Sequence, residues 1–122
     1  MRSILLELNK TSTAIEASAI ISNDGLIVAS ALPADFDEDH LGKMSAGVLL
    51  LGEYTSQEYA SGDLEHVLIE CANNHIVITR VAEDVLLTVM LKSDTQGNPV
   101  ATEIKCTSKK ISAHLAHLEL AA

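Results

Sequence analysis

Aromatic rings are almost missing from this sequence: two tyrosines, one phenylalanine and no tryptophan stand among 122 residues. Binders of single-stranded nucleic acid use exposed rings as stacking platforms beside a basic groove. Positive charge is scarce too, with 8 Lys and Arg against 17 Asp and Glu and a formal net charge of −9. Such a surface repels duplex phosphate unless a strong local basic patch exists. The one cluster, Lys105, Lys109 and Lys110, reads as the solvated side of an amphipathic helix. Composition thus argues against nucleic acid and suits a partner with a basic face.

Cysteine is nearly absent as well. Cys71 and Cys106 are far apart and form no C-x-x-C pair, so reduced, buried and inert thiols are expected. No apolar run approaches the roughly eighteen residues of a membrane span. Glu7 interrupts the apolar stretch of "MRSILLELNK", which argues against a secretory leader. The expectation is a soluble, cytoplasmic protein of one domain, residues 1–122.

What is present is Ile, Leu, Val and Ala, arranged with clear periods. Ile4, Leu5 and Leu8 share a helical face, predicting a short helix over 1–11 that must dock on something. "IEASAIISNDGLIVASALP" then carries two apolar runs around Asn23-Asp24-Gly25, predicting strands at 16–23 and 26–32. Asp24-Gly25 predicts a tight two-residue turn, and Pro33 stops the second strand. These strands do not alternate apolar with polar residues, so both faces of their sheet need a cover.

Asp37 opens a helix running to about Ala60, with acids in its first turn that complement the helix dipole. Leu41, Met44, Val48, Leu51 and Thr55 form one stripe, expected to face the sheet. Ala46, Gly47, Leu49, Leu50 and Tyr54 form a second. Gly42, Gly47 and Gly52 each lower helicity by roughly 1 kcal/mol relative to Ala, and would let another backbone come close. This helix is read as having two buried faces, one against its own sheet and one against a partner. Strands are predicted at 64–71, 75–82 and 85–92, joined by turns at Asn73-Asn74 and Glu83-Asp84. Val67, Ile69 and Cys71 share one face of the first of these, with Leu68 on the other. A last helix over 99–120 has Asn98 as N-cap and Pro99 at its first position. Val100, Ile104, Ile111, Leu115 and Leu118 form its inward stripe. The fold class is α+β, a three-layer α/β/α domain with a five-stranded antiparallel sheet in the order α-β-β-α-β-β-β-α.

Catalytic constellations are not found. G-x-S-x-G and G-x-x-x-x-G-K-[ST] are both missing. His114 and His117 stand three apart with no third zinc ligand marked, and "DFDEDH" lacks the spacing of a calcium loop. No base is marked beside Cys106. The sequence predicts no enzyme, no cofactor and no metal.

The hairpin "IEASAIISNDGLIVASALP", the helix "MSAGVLLLGEYTSQE" and the strand pair "LEHVLIECANNHIVIT" together resemble the Roadblock/LC7 family. Its prokaryotic members close to this pattern are the MglB-like regulators of small Ras-like GTPases. The resemblance implies a profilin-like fold and a homodimer built through the long helix and the third strand. On this sequence it places Ala46, Gly47, Leu50 and Tyr54, with Val67, Ile69 and Cys71, in the dimer interface. It places Lys43, Gly47, Leu50 and Tyr54 on a platform for a GTPase whose switch regions the dimer would order without an arginine finger. The other role it implies is that of a scaffold or adaptor with no effect on hydrolysis.

Overall fold

The computed structural model of the chain describes residues 1–11, 13–60, 62–92 and 101–121, with side chains of the last helix from 104 to 116. Its elements are α1 (Arg2–Thr11), β1 (Ile15–Ser22), β2 (Ile27–Ala31), α2 (Glu38–Tyr59), β3 (Val67–Glu70), β4 (Asn74–Ala82), β5 (Val85–Lys92) and α3 (Ala101–Ala121). The five strands make one antiparallel sheet in the order β2-β1-β5-β4-β3. Class and element order agree with the sequence reading. The Asn98 cap, Pro99, Val100 and the side chains of His117 and Leu118 lie outside the described residues.

Helices cover both faces, which answers the apolar pattern of β1. Its alternate side chains enter two cores. Ile15 and Ile20 join Leu87, Val89 and Leu91 of β5 in a core closed by Leu5 and Leu8 of α1 and by Ile104 and Ile111 of α3. Ala19 and Ile21 join Ile78 and Leu86 beneath Leu49 of α2. Each fully buried Ile or Leu contributes roughly 1.5–3 kcal/mol, and no β1 position between Ala17 and Ile21 is left wet. Polar bonds fix α1: Ser18 Oγ donates to Asn9 Oδ1 (2.7 Å), while Asn9 Nδ2 donates to the Ala31 carbonyl (3.1 Å).

The β1–β2 turn is longer than predicted. Ser22 N–H donates to the Leu26 carbonyl and Gly25 N–H to the Ser22 carbonyl (both 2.9 Å), enclosing a three-residue loop, Asn23 to Gly25. Only Gly25 takes a positive φ (+84°); Asp24 does not, so the two-residue turn with two left-handed positions is not formed. β3 is also shorter than predicted. It ends at Glu70, and Cys71 N–H donates to the Asn74 carbonyl (2.9 Å) to close the next turn. Cys71, just past this strand, and Cys106, on α3, are both free and exposed, not buried as the sequence reading expected.

α2 meets the sheet through a face the apolar stripes identified only in part: Leu41 and Val48 of the stripe expected to face the sheet do pack on the core. Gly42, Ser45 and Leu49 are its buried residues, with Gly52 against Val67 of β3. Met44 and Leu51, expected to face the sheet, are exposed, whereas Leu49, assigned to the outer stripe, is in the core. The cause is distance. A Cβ on Gly42 would collide with the Gly25 carbonyl, so the helix lies on the hairpin turn backbone to backbone. Long side chains have no room in that crossing, and small ones take it.

One buried group under α2 lacks a partner. Thr88 stands on β5 between Ala19 and Ile78, is 2% exposed, and its hydroxyl finds no acceptor or donor among the described residues. Thr88→Val keeps the shape and removes the unsatisfied oxygen. We expect it to raise unfolding stability by about 1 kcal/mol, read as a higher urea midpoint at unchanged slope.

Candidate functional site

The acidic segment before α2 serves to hold that helix in place. Asp37 is the N-cap, its carboxylate accepting from His40 N–H (3.1 Å), and Glu38 accepts from the Ser30 hydroxyl (2.7 Å) on β2. In the second half of the helix, the Arg80 guanidinium of β4 grips both carboxylate oxygens of Glu53, with Nε–Oε2 at 2.6 Å and Nη2–Oε1 at 2.9 Å. Its third nitrogen donates to Asn23 Oδ1 (2.8 Å) and the Glu83 carbonyl (2.9 Å), joining α2 to two hairpin turns. Sequence reading missed this network, although a signal existed. Glu53 falls on the sheet-facing side with Gly42, Ser45 and Leu49, and Arg80 falls in phase with Ile76 and Ile78. A carboxylate on an inward face needs a cation opposite it.

Hydrogen bonds from Arg80 hold the Glu53 carboxyl below its usual range, against the opposing push of partial burial. A carboxyl with a depressed folded pKa stabilises the fold above its unfolded pKa, near 4.5, and loses that contribution as pH falls through the lower folded value. Acid titration of stability should show a loss in this window that Glu53→Gln abolishes. Because both side chains are about a quarter exposed, the step should be modest, about 1 kcal/mol.

With its inner face so fixed, α2 turns an apolar face outward. Met44 is 55% exposed, Leu50 49%, Leu51 67% and Tyr54 56%, with Gly47 among them and Lys43 and Glu58 exposed at either end. Grouped apolar exposure of this kind marks an interaction surface. Gly47 has no reason within its own chain: a Cβ there would meet nothing within 4 Å. Gly42 and Gly52, by contrast, are used by the fold itself.

The structure therefore brings Lys43, Gly47, Leu50 and Tyr54 together on one open face. Ala46 is half-buried and packs toward the sheet, not outward. Val67 and Ile69 also point into the core beneath α2, while Leu68 is exposed on the opposite face and Cys71 lies beyond the strand. β3 is the sheet's last strand, so one side of its backbone has no neighbouring strand among the described residues.

Neither arginine is a free catalytic group. Arg80 is engaged as above, and Arg2 Nε donates to the Ser30 carbonyl (3.2 Å). Among the described residues, no three His, Cys, Asp or Glu lie together as a metal site requires. No described helix is long and apolar enough to cross a membrane.

Comparison with known proteins is consistent with this architecture. The Streptomyces avermitilis Roadblock/LC7 domain superposes with a TM-score of 0.88 at 16% identity, covering 95% of this chain and 98% of that one. Myxococcus xanthus MglB gives 0.87 at 19% identity, covering 95% and 94%. Profilin II of Acanthamoeba castellanii gives 0.64 at 11%, covering 93% and 97%, so the profilin-like fold is shared. In sequence, the Methanocaldococcus jannaschii protein MJ0310 is 34% identical over 110 residues, covering 90% of this chain and 95% of its own. The family model of the Roadblock/LC7 domain matches residues 2–91, from the start of α1 to the penultimate residue of β5. The chain belongs to the Roadblock/LC7 family.

Proposed function

We propose that this protein is a homodimeric, non-enzymatic regulator that binds a small Ras-like GTPase and accelerates its hydrolysis by ordering the switch regions. The observation that carries the reading is the outward face of α2. It is apolar, it is centred on a glycine its own chain does not need, and its helix is held by a cap, a strut and an ion pair. A helix so fixed suits a preformed platform better than a mobile clamp. Two arginines held by their own chain fit a regulator that acts on the GTPase's own groups, with no inserted finger. Val67, Ile69 and Cys71 would stand at the β3 edge of the dimer, and Lys43 on the platform beside the paired helices.

The test mixes the purified chain with small Ras-like GTPases in their GDP and GTP-analogue states and follows phosphate release. Nucleotide-dependent binding with faster release is the expected result. Binding with unchanged release identifies an adaptor instead, and no binding in either state overturns the reading.

A further inference from the structure

We infer that the layer formed by α1 and α3, on the sheet face away from α2, is a docking surface for an acidic peptide segment of a partner protein. One apolar side chain of that segment seats in the groove between the two helices. The surface is separate from the α2 platform, so the inference stands apart from the proposed function.

The chain is acidic, with a net charge of −9, yet its cations are not spread over it. Of its 8 Lys and Arg, Arg2 and Lys10 stand on α1, and Lys105, Lys109 and Lys110 on α3, all exposed. From Ile104 to Ala116, α3 carries no Asp or Glu. α2 and its cap are the reverse, with Asp37, Glu38, Asp39, Glu53 and Glu58 against Lys43 alone. Since α1 and α3 close one core and α2 covers the other, the two signs fall on opposite faces of the sheet. At physiological ionic strength exposed charges are screened beyond about 8 Å, so a ligand at α3 meets the lysines and little of the acid behind the sheet.

Charge by itself describes a solvated helix. The groove is what adds a recognition element. It encloses about 190 Å³ between α1 and α3, lined by Ile4, Leu8, Thr11, Cys106 and Thr107, with Glu7 and Lys110 meeting across it at 3.6 Å. That volume is below the roughly 300 Å³ at which small-molecule sites begin, so it suits one side chain and not a cofactor. The Glu7–Lys110 contact is solvent-exposed and worth little, so Lys110 is available to an incoming carboxylate together with Lys105 and Lys109. A flat anionic bilayer has no group to place in such a groove. A peptide with one aliphatic residue among carboxylates supplies both the anchor and the charge.

The two exposed thiols provide the test, because Cys106 lines the groove whereas Cys71 stands past the end of β3, outside it. The probes are synthetic peptides in which glutamates flank a central Leu, Ile, Val or Met, added at low salt to the full-length chain. The readout is the rate at which iodoacetamide alkylates each cysteine. At least one peptide should slow labelling of Cys106 by about fivefold or more at saturation and leave Cys71 unchanged. Replacing its central residue by Ser, or its glutamates by Gln, should abolish the protection. Lys105→Glu combined with Lys109→Glu should do the same, and both positions are exposed, so an unchanged urea midpoint is expected of that variant. Unprotected Cys106 with every peptide overturns the inference, as does equal slowing of both cysteines. Protection that survives the Ser replacement removes the groove from recognition and overturns it too. Slowing of Cys106 by phosphatidylglycerol vesicles and not by the peptides makes the face a membrane surface, which overturns the peptide assignment.

Discussion

Gly42→Ala should destabilise the protein by about 2 kcal/mol, while the same change at Gly47, one and a half turns along the same helix, should stabilise it by up to about 1 kcal/mol. In an open helix, Ala is worth roughly 1 kcal/mol more than Gly, and Gly47 offers that open space. At Gly42 the added methyl is driven into the Gly25 carbonyl. Overpacking of that kind costs about 1–3 kcal/mol or more when the neighbour cannot yield, and here the neighbour is backbone. Gly25 cannot move aside readily, because its own added Cβ position lies 2.9 Å from Lys43 Cα and its φ is +84°. The comparison belongs in a Leu50→Glu background, where subunit association does not enter, with urea midpoints as readout. Equal effects at the two glycines would show that the hairpin turn does not rest on α2 as described.

In the proposed homodimer, Leu50→Glu should abolish association, raising the dissociation constant by at least about a hundredfold while leaving the subunit folded. Leu50 is 49% exposed in the isolated chain, so little of the subunit's own core depends on it. In a two-fold dimer built through this face, Leu50→Glu would bury a carboxylate from each subunit without a partner. Uncompensated buried charge at the centre of an interface costs several kcal/mol. Tyr59→Glu, at the exposed far end of the helix, is the control and should leave association unchanged. Sedimentation velocity across a dilution series separates the two results. A Leu50→Glu protein that remains dimeric would remove the outward α2 face from the interface.

Elements and their order were legible because hydrophobic period reports them directly. β1, with apolar residues on both faces, required two covering layers, and α1, α2 and α3 supply them. The orientation of α2 was not legible by the same rule. The spacing of apolar residues set Met44 and Leu51 on the sheet-facing stripe, yet the buried positions are Gly42, Ser45 and Leu49, with Gly42 pressed against the Gly25 carbonyl. Contact distance is a tertiary quantity, and a stripe of apolar residues does not encode it. The exposure of Cys71 followed from a local matter: β3 stops at Glu70, one residue before it, where Cys71 N–H donates to the Asn74 carbonyl in the turn into β4. Gly47, Leu50 and Tyr54 share one exposed face because spacings of three and four place them together whatever the helix rests on, whereas Ala46 and Leu49 of the same stripe turn to the sheet.

The position of β5 between β1 and β4 has a consequence for how the chain is built. Residues of β1 pair with β5 partners about sixty to seventy-five positions later, from Ser22 with Val85 to Ile15 with Leu91. The first hairpin therefore emerges from the ribosome with one strand unmatched, and remains so until nearly the whole sheet has been synthesised. Loop closure of that length must precede most of the native contacts, which slows folding relative to a meander of the same size. The nascent chain spends that interval with an apolar β1 edge open to its neighbours on the polysome.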